Sequence, residues 1–83
     1  MSINEVDVAT NHLNEQQIET IARLKNRLAK TLPSFRIAWA RPAKPNMIEV
    51  HLESEKRTYR SGLQAVKLAV EVEDETGVII ILR

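Results

Sequence analysis

The sequence predicts a small α+β fold in the order α-β-β-β-α-β, with a four-stranded antiparallel or mixed sheet packed by two helices. Three observations carry this. Apolar residues recur at helical spacing behind a capping pattern at residue 14, the period then drops to two from residue 35, and a glycine divides a second helical segment from the apolar run Val78–Leu82.

Residues 1–12 are polar and mildly acidic, with Ile3, Val6 and Val8 scattered among them, and read as a flexible N-terminal arm ahead of one compact domain over 13–83. The first helix is expected over 15–32. Asn14 is a good N-cap, Gln17 stands three residues on as a capping box requires, and Leu13 and Ile18 have the spacing of a hydrophobic staple. Glu15 and Glu19 near the start, with Arg23, Lys25, Arg27 and Lys30 in the second half, suit the helix dipole. Pro33 ends the element.

Phe35, Ile37 and Trp39 alternate with Arg36, Ala38 and Ala40, which reads as a strand, and RPAKPN over 41–46 reads as a turn. Ile48, Val50 and Leu52 then alternate with Met47, Glu49, His51 and Glu53 in a second strand, and RTYR over 57–60 reads as a short third. Ser61 and Gln64 form another capping pattern. Leu63, Val66 and Val70, joined by Ala65, Leu68 and Ala69, predict a helix over 62–76 closed by Gly77. The same residues also alternate, so a hairpin of 65–73 with the last segment competes; the alanines and the cap favour the helix. The continuous run VIIIL reads as a central strand buried on both faces.

An apolar fraction of 43% supports a core, built from aliphatic residues because Phe35, Trp39 and Tyr59 are the only aromatics. The absence of cysteine excludes disulfides, thiolate metal sites and cysteine nucleophiles. The first residues lack the pattern of a signal peptide, and the longest apolar run is too short to span a bilayer, so the expectation is a cytoplasmic protein without a membrane partner.

The net charge of +1 hides a segregation: residues 20–60 hold ten of the twelve Lys/Arg and only three of the eleven Asp/Glu. The basic block, Arg23, Arg27, Lys30, Arg36, Arg41, Lys44, Arg57 and Arg60, is a candidate contact for nucleic acid or an anionic partner, with Trp39 and Tyr59 as stacking or anchoring side chains. The order α-β-β-β-α resembles that of double-stranded-RNA-binding domains, although GLQAVK supplies one lysine where such domains carry a cluster. A pI near 8.1 lies below that of a dedicated nucleic-acid binder.

The acidic cluster Glu71, Glu73, Asp74 and Glu75 sits in the last turns of the second helix, where the dipole opposes it. It is compensated either by the basic end of the first helix or by a partner protein. Glu49, His51 and Glu53 share a strand face, as a weak metal or carboxylate–imidazole site would, but this pattern is common on solvated sheet faces. No phosphate-binding glycine loop, HExxH or nucleophile elbow is present. The reading is a non-catalytic binding or regulatory module with no metal or cofactor, acting through a protein partner: an adaptor, an accessory subunit or a small phage-type inhibitor. An RNA- or single-strand-binding module using residues 23–60 is the alternative. Homodimerisation, including through a free strand edge, suits a domain of this size.

Overall fold

The computed structural model describes residues 13–83. The arm expected at 1–12, with His12, lies outside the described residues. Five elements follow in the order α1 (Glu15–Thr31), β1 (Phe35–Lys44), β2 (Met47–Ser54), α2 (Tyr59–Thr76) and β3 (Ile79–Leu82). The α+β class stands, and the described residues form two helices and a mixed sheet of three strands in the order β1-β2-β3. β1 and β2 run antiparallel, and β3 lies parallel to β2.

The missing strand is RTYR. Thr58 caps a helix instead: its hydroxyl accepts from the Ser61 amide at 3.1 Å, and the Ser61 hydroxyl accepts from the Thr58 amide at 2.8 Å. Ser61 is therefore the third residue of α2 rather than its cap. A reciprocal cap satisfies two helix-end donors locally, whereas a four-residue strand must find a ladder partner. The likeness in element order to double-stranded-RNA-binding domains ends with that strand. Of the two readings of residues 65–73, the structure has the helix. It closes on Gly77 at φ 78°, whose amide donates to the Glu73 carbonyl at 2.8 Å.

Among the described residues the run VIIIL forms an edge strand, not a central one, because β3 pairs there with β2 alone. Val78 and Ile80 are buried under the helices, while Ile79 and Ile81 lie on the opposite face. The central strand is β2, whose plain alternation puts Ile48, Val50 and Leu52 into the core.

β1 carries a register slip that redistributes its side chains between the two faces of the sheet. Its register with β2 slips between Ile37, opposite Leu52, and Trp39, opposite His51, so that Ala38 is an extra residue. Side chains alternate with period two, and one inserted residue sends all that follow to the other face. Phe35 therefore faces the core, Ala40 takes the next buried position, and Trp39 turns to the face away from the helices.

Both helices cover the remaining face. Leu24 and Leu28 of α1 meet Phe35, Ile48, Val50 and Leu52 of the sheet and Ala65, Leu68, Ala69 and Val72 of α2 in one cluster. Each fully buried aliphatic side chain stabilises by about 1.5–3 kcal/mol. The buried Gln17 orients the cluster. Its amide nitrogen donates to the carbonyls of Lys44 at 2.7 Å and Met47 at 3.2 Å, and its amide oxygen accepts from the Asn14 backbone at 2.9 Å. The same residue that completes the α1 capping box thus pins α1 to the β1–β2 hairpin, whose turn is confined to Pro45 and Asn46.

Candidate functional site

The acidic and basic blocks meet between the helices. α1 and α2 run antiparallel, with Gln16 donating to the Thr76 carbonyl at 2.7 Å at one end. Further along, Arg27 pairs with Glu71 at 2.8 Å and with Glu75, and Arg23 pairs with Glu75 at 3.3 Å and with Glu19 at 2.8 Å. Surface pairs of this kind are individually worth about 0–1 kcal/mol, but together they offset a helix end whose acids oppose the dipole. Glu73 is engaged differently. Its carboxylate accepts from the Ile80 amide at 2.7 Å. The amides of Ile79 and Arg83 donate to the carbonyls of Asn46, just before β2, and of Val50 within it, so the intervening Ile80 amide points off the sheet edge. Glu73 therefore covers the free edge of β3. Of the four acids, Asp74 alone has no ion pair or hydrogen bond from a side chain or strand among the described residues.

The open face of the sheet holds a second constellation. Trp39 stacks on His51 with ring centroids 5.6 Å apart and planes 18° from parallel, and the Arg41 guanidinium lies 4.9 Å from the Trp39 ring centre. Arg41 also reaches Glu49 at 2.6 Å, and Glu49 receives Arg83 at 2.9 Å. The Glu49 side chain is only 14% exposed. Hydrogen bonds from Arg83 and then Arg41 hold its carboxyl below the ordinary carboxylate range against the opposing effect of partial burial. His51 Nδ1 lies 3.0 Å from a main-chain oxygen of Arg83; an oxygen can only accept, so that nitrogen carries the proton. At the end of the face Arg36 pairs with Glu53 at 3.0 Å. The carboxylates of the Glu49–His51–Glu53 row are thus bound by arginines. Among the described residues no three His, Asp or Glu side chains gather as metal ligands would.

The basic block does not form one surface. Arg23 and Arg27 lie between the helices, Arg36 and Arg41 lie on the open sheet face, and Lys44 sits at the hairpin end beside the buried Gln17. Lys30, Lys44, Arg57 and Arg60 make no ion pair with another described residue.

The third surface belongs to α2. Of the residues whose spacing predicts this helix, Ala65, Leu68 and Ala69 are buried together with Val72, and Leu63, Val66 and Val70 are not. Leu63, Val66 and Val70 point roughly the opposite way and are 54%, 49% and 47% exposed, and Tyr59, 84% exposed, heads the same row. A helix resting on a sheet buries one stripe, and two alanines let this stripe approach closely. The signal was present in the sequence: α2 carries enough apolar residues for two stripes. The row runs 59, 63, 66, 70, spacings of four, three and four that form a continuous seam along a helix. Arg60, Lys67 and Asp74 line one flank of this seam, and none is ion-paired with a described residue.

No helix among the described residues is long and apolar enough to cross a membrane. Comparison with protein-family models, with curated proteins and with solved structures finds no match for this chain.

Proposed function

We propose that this chain is a non-catalytic binding module of the cytoplasm that acts through a protein partner, as an adaptor, accessory subunit or small inhibitor does, and that the partner is received on the outward stripe of α2. One observation carries the reading. Tyr59, Leu63, Val66 and Val70 form an unbroken apolar row on the side of the helix away from the core. A scattered exposed leucine needs no explanation, whereas four large apolar side chains in a seam are the pattern that helix-in-groove recognition uses. Glu71, Glu73 and Glu75 have contacts within the chain, so in this reading the acidic cluster contributes to the partner surface chiefly through Asp74.

The test is a photoreactive phenylalanine placed at Val66 in cells producing the chain, with a second at Lys30 as control. Light-dependent adducts from position 66 and not from position 30 are expected. Absence of any adduct at 66, with the fold intact by circular dichroism, overturns the reading.

A single-stranded nucleic acid is the second reading, favoured by the Trp39 ring on the open sheet face with Arg41 beside it. Against it, Arg36 and Arg41 already hold Glu53 and Glu49. A polarisation titration with mixed RNA and DNA oligonucleotides at low and moderate salt decides. Micromolar binding with a steep salt slope, lost in the Trp39→Ala variant, supports it, and no binding at low salt removes it.

A further inference from the structure

We propose that the partner on the α2 stripe is a second copy of this chain, with the two α2 helices packed antiparallel across a two-fold axis. This rests on the reading of α2 as a protein-binding surface and names its occupant.

The charges between α1 and α2 compensate one another, and so do those on the open sheet face. The sheet edges are poor sites for self-association. Glu73 occupies the outward Ile80 amide of β3, while β1 carries two register slips and Pro42, which lacks an amide hydrogen. Among the surfaces left without a partner in the chain, the apolar seam of α2 and the three charges along its flank stand side by side on one helix.

These two features share a centre. The midpoint of Leu63 and Val70 falls between Val66 and Lys67, and the midpoint of Arg60 and Asp74 falls on Lys67. A two-fold axis at that level, perpendicular to the helix, lays the seam of one copy on the seam of the other. Leu63 then comes opposite the second copy's Val70, and Val66 lies across the axis from its own counterpart. The flank on one side of the helix stays on that side under such an axis. Arg60 of each copy therefore comes opposite Asp74 of the other, giving two symmetric ion pairs. A parallel arrangement, whose two-fold runs along the helices, would instead carry this flank to the opposite side of the seam in the second copy, and neither ion pair would form. The seam is self-complementary in shape and, in the antiparallel sense only, in charge at its ends, as an isologous interface requires. Lys67 sits at the axis and faces its own copy. It is the one unfavourable contact, and its removal should tighten the pair.

Sedimentation velocity on the full chain across micromolar to millimolar concentration tests the proposal. The wild type is expected to pass from one to two chain masses as concentration rises. Val66→Glu, with unchanged circular dichroism, should stay at one. Arg60→Glu and Asp74→Lys should each weaken dimerisation by about tenfold, because each sets two like-charge contacts in place of two ion pairs. The double variant R60E/D74K should recover it, because the pairs re-form with their signs exchanged.

A wild type that remains one chain mass at millimolar concentration overturns the proposal. So does a dimer indifferent to Val66→Glu, or a double variant no tighter than its parents. The photo-cross-link at position 66 separates the two levels of the reading. An adduct of twice the chain mass supports the second copy. An adduct of any other mass keeps α2 as a partner surface and overturns the self-pairing, and no adduct removes both.

Discussion

Replacing Trp39 with alanine measures directly what the single slipped residue in β1 does. Were the only tryptophan a core anchor, as the alternation Phe35–Ile37–Trp39 suggests, the change would leave a cavity and cost about 3–5 kcal/mol. On the open sheet face the ring is half-buried and has two specific neighbours, His51 across the strand pair and Arg41 over its plane. A cross-strand aromatic pair contributes about 0.2–1 kcal/mol, and an exposed cation–π contact about 0.5–1 kcal/mol. Trp39→Ala should therefore lower stability by roughly 1–2 kcal/mol. Urea denaturation followed by far-ultraviolet circular dichroism gives the value, since the variant has no tryptophan fluorescence. The slope of the transition should be unchanged, because the core is intact. Adding His51→Ala in a double-mutant cycle should return a coupling of about 0.5 kcal/mol. A loss above 3 kcal/mol, or wild-type fluorescence that resists quenching by acrylamide, would refute the slipped register. It would place Trp39 in the core and Ala38 on the open face.

Four further outcomes follow from other parts of the molecule. Gln17→Leu should cost about 2 kcal/mol in urea denaturation, because it removes the capping-box acceptor and leaves the carbonyls of Lys44 and Met47 without their donor. Gly77→Ala should cost about 1 kcal/mol through backbone strain alone, since φ is positive there and a Cβ would find only the Gln16 amide at 3.8 Å; thermal denaturation beside Gly77→Asn, which should lose less, checks this. The carboxyl of Glu49 is held below its unfolded value, so its stabilising effect is complete above the ordinary carboxylate pKa and is lost as pH falls through the lowered one. Glu49→Gln should therefore be less stable than wild type at neutral pH, with the difference shrinking towards acid, as read by urea midpoints across that range. Glu73→Ala should uncover the β3 edge and speed amide hydrogen exchange at Ile80 relative to Ile48, while Asp74→Ala should leave both unchanged.

Much of the fold was legible because it is written in short-range patterns. The Asn14–Gln17 cap, the helical apolar spacing behind it, the alternation of β2 and the glycine after α2 are each settled by neighbours a few residues away. The structure has all four. The failures share a different cause. RTYR read as a strand because a four-residue alternation is weak, and Thr58 with Ser61 supplied a stronger local alternative. VIIIL read as central because apolar continuity reports only that both faces avoid charge, not that a further strand lies alongside. Trp39 was placed with Phe35 and Ile37 because periodicity assumes an uninterrupted strand, and nothing at Ala38 announces a slip.

The candidate surfaces divide in the same way. The sequence alone determined which charges and apolar residues exist and that acid gathers at the end of α2 while base fills the middle of the chain. Only the tertiary structure decided which of them meet. Antiparallel packing of α1 on α2 brought Arg23 and Arg27 to Glu71 and Glu75, and the parallel placement of β3 brought Arg83 to Glu49 and Glu73 to the Ile80 amide. The two apolar stripes of α2 are nearly equal in hydropathy, and contact with the sheet selected the alanine-rich one. Partnerships between residues dozens of positions apart depend on how elements dock, which local propensity does not encode. Docking left Arg60, Lys67, Asp74 and the seam between Tyr59 and Val70 facing outward.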